Sequence, residues 1–462
     1  MATQRWLGWR GVAAVVALFA TSRLGWWLAG IRFDASPVDW YWQILDLDLL
    51  RDRLAESLWF LHAQPPGFNA LIGVAATLGE PGAVLRWVFL GLGALLAVAL
   101  ADALRRLSWS VPEAVAAAVL LANGLPWVVT EHWLFYDFPC TVLLGLCGWA
   151  LLRIADDWRL GVSVFAGSAA ALSLIRSLFH PLWMVMALAM MVWAAPTAAR
   201  RRAGIVAVAA LLLVGGVVVK NGALFGVWGT SSWLGMSLAK LTTARLAPEE
   251  RTALIRSGVL SPMAGVRPFS PVETYERAVG TTWPDGDVPA LARRTRSGGA
   301  PNYNHPAYLD ISRASRADAL TVIRRHPGIY GGAVTGAIGS FLQSPLRYPA
   351  LGHNLSRVPG AWWLYERTVG QASLTVVLLL LALATCVVAG LRAARSGDRG
   401  LAAAAGWLVL NLGWLMVVAS GLEIGENNRF RLLITPLVWV VMLEAGRWAL
   451  SRRRRPTSRP VP

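Results

Sequence analysis

Cysteine is scarce in this chain. The three present, Cys140, Cys147 and Cys386, each lie inside an apolar run, so neither a disulfide framework nor a zinc-ligand spacing is available. Charge is scarce too: 15% of the residues are charged against 56% hydrophobic, which lies outside the range of soluble globular domains and leaves a membrane as the expected solvent. No Gly-rich phosphate loop follows a strand-like run, so a nucleotide-binding domain is not expected. No repeat with a period of about 20 to 50 residues is visible, and the two halves differ in loop length, which argues against the inverted repeats of many secondary transporters.

What is present is arginine in short clusters. The net charge of +17 suits nucleic acid in principle, but Arg105-Arg106, Arg200-Arg201-Arg202 and Arg452 to Arg455 sit between long apolar runs, which is the positive-inside pattern of a membrane protein. Arg5, Arg10 and the run Val12 to Ala20 imitate a signal peptide, yet apolar residues continue to Leu28 without a small-residue cleavage site, so a retained first span is expected.

A span needs roughly 20 apolar residues. Ten runs qualify or nearly do: 11–30, 83–103, 112–129, 139–154, 160–178, 181–197, 204–224, 372–392, 401–422 and 431–450. With both termini cytoplasmic, every Arg-rich short loop falls inside, and all six histidines fall in outer segments or at their edges. The expected fold is an all-α polytopic bundle of about ten transmembrane helices with interfacial helices and a long outer loop. Residues 1–224 form the first transmembrane module, with its outer loop at 31–82; 225–371 is the long extracytoplasmic segment; 372–462 holds the last helices and a basic cytoplasmic tail. Two shorter Gly-rich stretches, Gly67 to Leu78 and Gly328 to Leu342, read as re-entrant or interfacial helices. One helix is expected near 306–326, ending before Pro327.

The chemistry-bearing residues gather in the outer segments. The first outer loop holds Asp34 and Asp39, then a helical pattern from Trp40 to Leu61 suited to lying in the membrane interface, then His62-Ala63-Gln64-Pro65-Pro66-Gly67-Phe68-Asn69. The second outer loop packs Glu131, His132 and Asp137 among aromatic residues, an expensive arrangement near a bilayer unless the charges are paired or used. Arg176 and His180, and farther along Lys220, lie at outer ends of spans. Arg429 and Arg431 run against the positive-inside trend, and guanidinium forks fit phosphate oxygens. Asn304 and His305, in Asn302-Tyr303-Asn304-His305-Pro306, offer polar groups for a sugar. Each has a plainer reading as well: solvated loop carboxylates, an aromatic belt, cations that snorkel to lipid headgroups, and an Asn-rich helix cap.

A first span, an acidic outer loop, an in-plane helix and His/Gln-Pro-Pro-x-Phe/Tyr together resemble the GT-C membrane glycosyltransferases. The likeness is greatest to the protein-mannosyltransferase-like group, glycosyltransferase family 39. The motif likeness covers about the first 80 residues, and the remainder agrees in architecture. The resemblance implies a catalytic carboxylate at Asp34 or Asp39, although Ala35 follows Asp34 where the family has an Asp-Glu pair. It implies contacts to the acceptor or to a metal at Glu131 or Asp137, a phosphate-binding element at Arg429-Phe430-Arg431 and no required metal, a divalent ion being compatible. The expected function is inverting transfer of a sugar from a polyprenyl-phosphate-linked donor to an acceptor hydroxyl on a glycan, lipid or protein at the extracytoplasmic face. Asp34 would be the base; Arg176, His180, Lys220, Arg429 and Arg431 would hold the donor phosphate; Glu131, His132, Asp137, His62, Asn304 and His305 would contact sugar or acceptor. The rivals are a lipid-linked glycan polymerase or ligase, which would lean on His305, and a lipid or solute transporter, which would want ionisable residues in mid-span. Mannose, glucose and arabinose all fit the reading.

Overall fold

The computed structural model describes residues 6–453; Arg5 and the side chains of the basic tail Arg452 to Arg455 lie outside what is described. The chain is an all-helical multi-pass membrane protein. Among the described residues seven helices are long and apolar enough to cross a bilayer, or eight when one bent pair is taken as a single span. In chain order, α1 is Trp9–Leu28, α2 Gly67–Leu78, α3 Pro81–Arg106, α4 Val111–Ala122, α5 Leu125–Glu131, α6 Asp137–Arg153, α7 Trp158–Ile175 and α8 Pro181–Ala194. They are followed by α9 Arg200–Phe225, α10 Leu234–Leu241, α11 Ala307–Arg325, α12 Pro327–Leu342, α13 Ala372–Arg395, α14 Arg399–Leu422 and α15 Asn427–Leu450.

All ten expected apolar runs are helical, but three fall short of a regular span. Helices α6 and α8 have only 17 and 14 residues. The run at 112–129 is broken into α4 and α5, which meet at 63°. Asn123, Gly124 and Pro126 explain the break: Gly124 is extended, and Pro126 restarts a helix where its missing N–H costs nothing. Helices α2 and α12, at the two Gly-rich stretches, are too short or too weakly apolar to count among the spans. The helix expected near 306–326 is α11.

The expected in-plane helix from Trp40 to Leu61 is instead three short helical pieces, Pro37–Trp40, Leu47–Asp52 and Leu54–Trp59. Tertiary bonds take the backbone away from it. The Arg296 guanidinium captures the carbonyls of Val38 and Tyr41, each at 2.6 Å. Asp46 accepts from the Ser297 amide at 3.0 Å and pairs with Arg293 at 2.8 Å. The 225–371 segment thus clamps the first loop, and helical propensity yields to it.

Local capping sets the other boundaries. Glu80 accepts from the Gly82 amide at α3, Ser110 and Glu113 form a capping box at α4, and Asp157 and Asp398 cap α7 and α14. The bundle has two chemically distinct ends. At one, Arg106 bridges Asp398 (2.8 Å) and Asp156 (3.7 Å), and Arg153 reaches Asp102 (3.5 Å). At the other, the 31–66 loop, the 132–136 loop and the 226–371 segment interlock, and a charged cavity opens among them.

Candidate functional site

The cavity, about 280 Å³, is bounded by the first loop, the Tyr136 turn, the junction of α7 and α8, α10, and the turn between α14 and α15. Its most buried charged group is Arg429, 2% exposed, on the helical turn Asn427–Phe430 that opens α15. One guanidinium nitrogen donates to the Tyr41 hydroxyl at 2.7 Å, and another reaches the Tyr136 hydroxyl at 3.3 Å and the Glu426 carboxylate at 2.6 Å. The faces of Phe135 (4.8 Å) and Tyr348 (5.1 Å) enclose it. Arg176, left where α7 ends, lies 4.7 Å from the ring centres of both Tyr136 and Phe430 and makes a close ion pair with Asp137.

Asp137 belongs to both arginines. Its second oxygen, Oδ2, lies 3.6 Å from Arg429 Nε, too far for a hydrogen bond, and neither atom has another partner. Buried polar atoms are ordinarily satisfied; fourteen among the described residues are not, and what sets this pair apart is that it stands directly behind a charged cavity.

Two carboxylates and a lysine complete the lining. Glu423 is in close contact with Lys240 and accepts from the Ser237 hydroxyl (3.1 Å) and the Ile424 amide (2.9 Å). Glu426 accepts from the Tyr348 hydroxyl at 3.1 Å, and Tyr348 also shares a 2.6 Å hydrogen bond with Tyr41. Gly425, at φ +117°, permits the tight turn that sends both acids to one cavity. Their environments push them apart. Burial raises the Glu423 carboxyl, with Lys240 only partly offsetting it. Burial also opposes ionisation of Glu426, but Arg429 and Lys240 outweigh it and hold that carboxyl below its usual value. Burial lifts the Tyr41 and Tyr136 hydroxyls above theirs, so both stay protonated while they accept from Arg429. Trp40, Trp42, Gln43, Gln64, Trp233 and Phe269 supply the remaining aromatic and amide surface.

Of the residues singled out by sequence, this site unites Arg176 and Arg429, with Asp137 pairing them from behind. The others lie elsewhere. Asp34 does not line the cavity: its backbone exchanges hydrogen bonds with His132 and Leu134, and its carboxylate accepts from the Ser36 amide at 3.0 Å. Asp39 is exposed and also outside the lining. Glu131 is not free to meet an acceptor, because Arg23 of α1 holds both its oxygens at 2.7 Å. His132 bonds the Val128 carbonyl at 2.9 Å, and burial pushes it down to about 4.

His62 is fully buried against Ser232 (3.0 Å), with burial pushing it down to about 3. Asn304 acts as a splint outside the cavity lining: its side chain bonds the backbone of Phe60, His62, Ala63 and Ala290. His305 pairs with Asp285 at 3.1 Å, and burial lowers it. Lys220 donates to the Leu61 carbonyl at 2.7 Å. Arg431 donates to Thr375 (2.6 Å) and the Leu342 carbonyl (3.0 Å), away from the cavity. His180 accepts from the Leu182 amide at 3.2 Å as the cap of α8, and lines an adjoining cavity.

Sequence reasoning passed over Tyr41, Lys240, Tyr348 and Glu423. The available signal was that Lys240 is one of only two lysines, and that Glu423 and Glu426 flank a glycine just ahead of Arg429. Among the described residues no group of three or more His, Cys, Asp or Glu side chains is placed to hold a metal ion. No protein-family model, curated protein or solved structure matches this chain.

Proposed function

We propose that this protein is a membrane glycosyltransferase of the GT-C type, which moves a sugar from a polyprenyl-phosphate-linked donor to an acceptor hydroxyl with inversion. The observation that carries the reading is the pair of buried guanidinium groups, Arg176 and Arg429, at one end of a membrane bundle beside a cavity walled by Trp, Tyr and Gln side chains. Guanidinium forks match phosphate oxygens, and aromatic faces with amides suit a sugar ring. The arginine-rich short connections lie at the opposite end of the bundle, and the positive-inside tendency supports reading the cavity as extracytoplasmic.

The acceptor oxygen attacks the anomeric carbon while the bond from that carbon to the lipid phosphate oxygen breaks, and the departing phosphate takes the electron pair. Arg429 and Arg176 stabilise the charge developing there. Glu426 occupies one Arg429 nitrogen in the free protein and yields it to the donor phosphate. The acceptor's proton goes to a carboxylate in the cavity, and Glu423 is the better base than Asp34: it lines the cavity, and its raised proton affinity moves it toward working pH.

The test is transfer from radiolabelled polyprenyl-phosphate sugars by protein in nanodiscs, with Arg429→Gln alongside. Label transferred or hydrolysed by the wild type and lost in the variant is the expected result. Donor affinity unchanged by Arg429→Gln in a folded protein removes the phosphate role and the reading with it.

A further inference from the structure

A second cavity, of about 510 Å³, adjoins the first, and Leu178, Leu234 and Leu422 line both. One wall is a single face of α11: Leu309, Ser312, Arg313 and Arg316, spaced at three- and four-residue steps. The wall opposite is the loop from Gly226 to Ser232, which ends at α10. Gly235 brings the two walls together, since any side chain there would put its first carbon 1.7 Å from the Ser312 carbonyl oxygen. The third side is His180 with Trp414 and Val418, which bound a π-helical turn inside α14. Such turns, rare in helices, often mark functional sites.

The electrostatics of the two cavities differ. The first balances three cations with carboxylates. No Asp or Glu lines the second among the described residues. Arg313 is partly neutralised by Asp310 at 2.6 Å outside the lining, whereas Arg316 has no ion-pair partner among the described residues. Trp228 adds an indole that is 74% exposed, and backbone and hydroxyl groups of Thr230 to Ser232 add polar surface.

We propose that this second cavity is the acceptor site and takes an anionic saccharide, such as a chain bearing uronate carboxylates. Arg316 and Arg313 hold the carboxylate, Trp228 stacks on a sugar face, and the shared leucine wall is where the acceptor hydroxyl reaches the donor. The inference rests on the transferase reading of the first cavity, but its test separates the two.

Labelled trigalacturonate and maltotriose are equilibrated with protein in phosphatidylcholine nanodiscs, as wild type and as Arg313→Ala/Arg316→Ala. Both arginines are exposed, so the double variant keeps its fold. Binding of a polyprenyl phosphate is measured in parallel on both proteins and on Arg429→Gln. The expected result is that trigalacturonate binds more tightly than maltotriose and loses about tenfold or more in the double variant, the scale of a charged hydrogen bond, while polyprenyl-phosphate affinity stays the same. Equal binding of the two sugars, or no loss in the double variant, overturns the acceptor assignment while leaving the donor reading standing. Displacement of trigalacturonate by added phosphatidylglycerol, at constant ionic strength, also overturns it and makes the arginines a lipid-headgroup site. Polyprenyl phosphate binding that ignores Arg429→Gln instead overturns the first-cavity reading.

Discussion

Glu131 and Asp137 stand six residues apart, both buried and both paired with arginine, yet their surroundings differ in kind. Glu131 is closed. Arg23 takes both oxygens, Trp127 adds a 2.9 Å bond, and the guanidinium also donates to Ser22 and the Ala122 carbonyl. Asp137 is open. It stands between two arginines, leaves Oδ2 and Arg429 Nε without hydrogen bonds, and backs onto a cavity. A buried ion pair gains little net stability once desolvation is counted, so completeness of bonding is a better guide to its role than burial. The closed pair fastens α1 to the broken span; in the proposed reading the open cluster exchanges partners with an anion.

The largest effect that sharpens this contrast belongs to the open end. Glu423→Gln keeps the shape and removes the proposed proton acceptor, and is expected to reduce turnover by about 100- to 10,000-fold with donor binding retained. Asp34→Asn, at a partly exposed site outside the cavity, is expected to keep turnover within about twofold. Steady-state transfer assays on the two variants decide between them: loss at Asp34 with survival at Glu423 returns the base to the first loop.

Next comes the closed pair. Glu131→Ala leaves Arg23 buried without a counter-charge, at a cost of about 3–5 kcal/mol, whereas Arg23→Met with Glu131→Leu removes both charges and is expected to recover most of it. Thermal unfolding in detergent measures the stability, and donor binding by the double variant tests the role. A folded double variant that no longer binds donor would make Glu131 part of the site and erase the distinction between the two clusters.

Tyr41 offers a smaller test on the open side. Its hydroxyl is the 2.7 Å acceptor that orients Arg429, so Tyr41→Phe is expected to weaken donor binding by about fivefold, the worth of one hydrogen bond of roughly 1 kcal/mol. An unchanged dissociation constant would mean that the aromatic cage alone positions the guanidinium.

Periodicity made the helices legible because a membrane leaves the backbone little choice. The ten apolar runs, the short helix at Gly67–Leu78 and α11 all appear in the sequence in this way. The first loop was less legible, since Arg293 and Arg296, some 250 positions away, capture its backbone and side chains and cut one helical pattern into three pieces. The site was half legible. Arg176, Asp137 and Arg429 stood out because charge beside apolar runs is conspicuous. Arg23 drew no notice because its partner lies 108 residues away. Glu423 and Lys240 pair only after α10 packs beside the α14–α15 turn, and no local spacing announces that.

The smallest effect concerns a group that is open yet lines neither of the two cavities. His62 is buried, its Nδ1 meets Ser232, and its Nε2 has no hydrogen-bond partner. If an unmet valence alone marked function, His62 would qualify; requiring a cavity as well makes it structural. Burial pushes it down to about 3 from 6.5, with Lys220 and His305 adding repulsion, so the folded protein holds it neutral while the unfolded chain protonates it near 6.5. The sign follows: its contribution is fully present above pH 6.5 and is lost as pH falls toward 3, because the unfolded state then binds the extra proton. His62→Gln cannot titrate. Its stability relative to wild type is therefore expected to improve as pH drops from about 7.5 to about 4.5, read as the difference between two thermal unfolding midpoints. Parallel pH profiles for the two proteins would show that the imidazole is not held neutral. A selective loss of sugar transfer in His62→Gln at pH about 7.5, with stability unchanged, would restore it to the site and show that an open nitrogen suffices without a cavity.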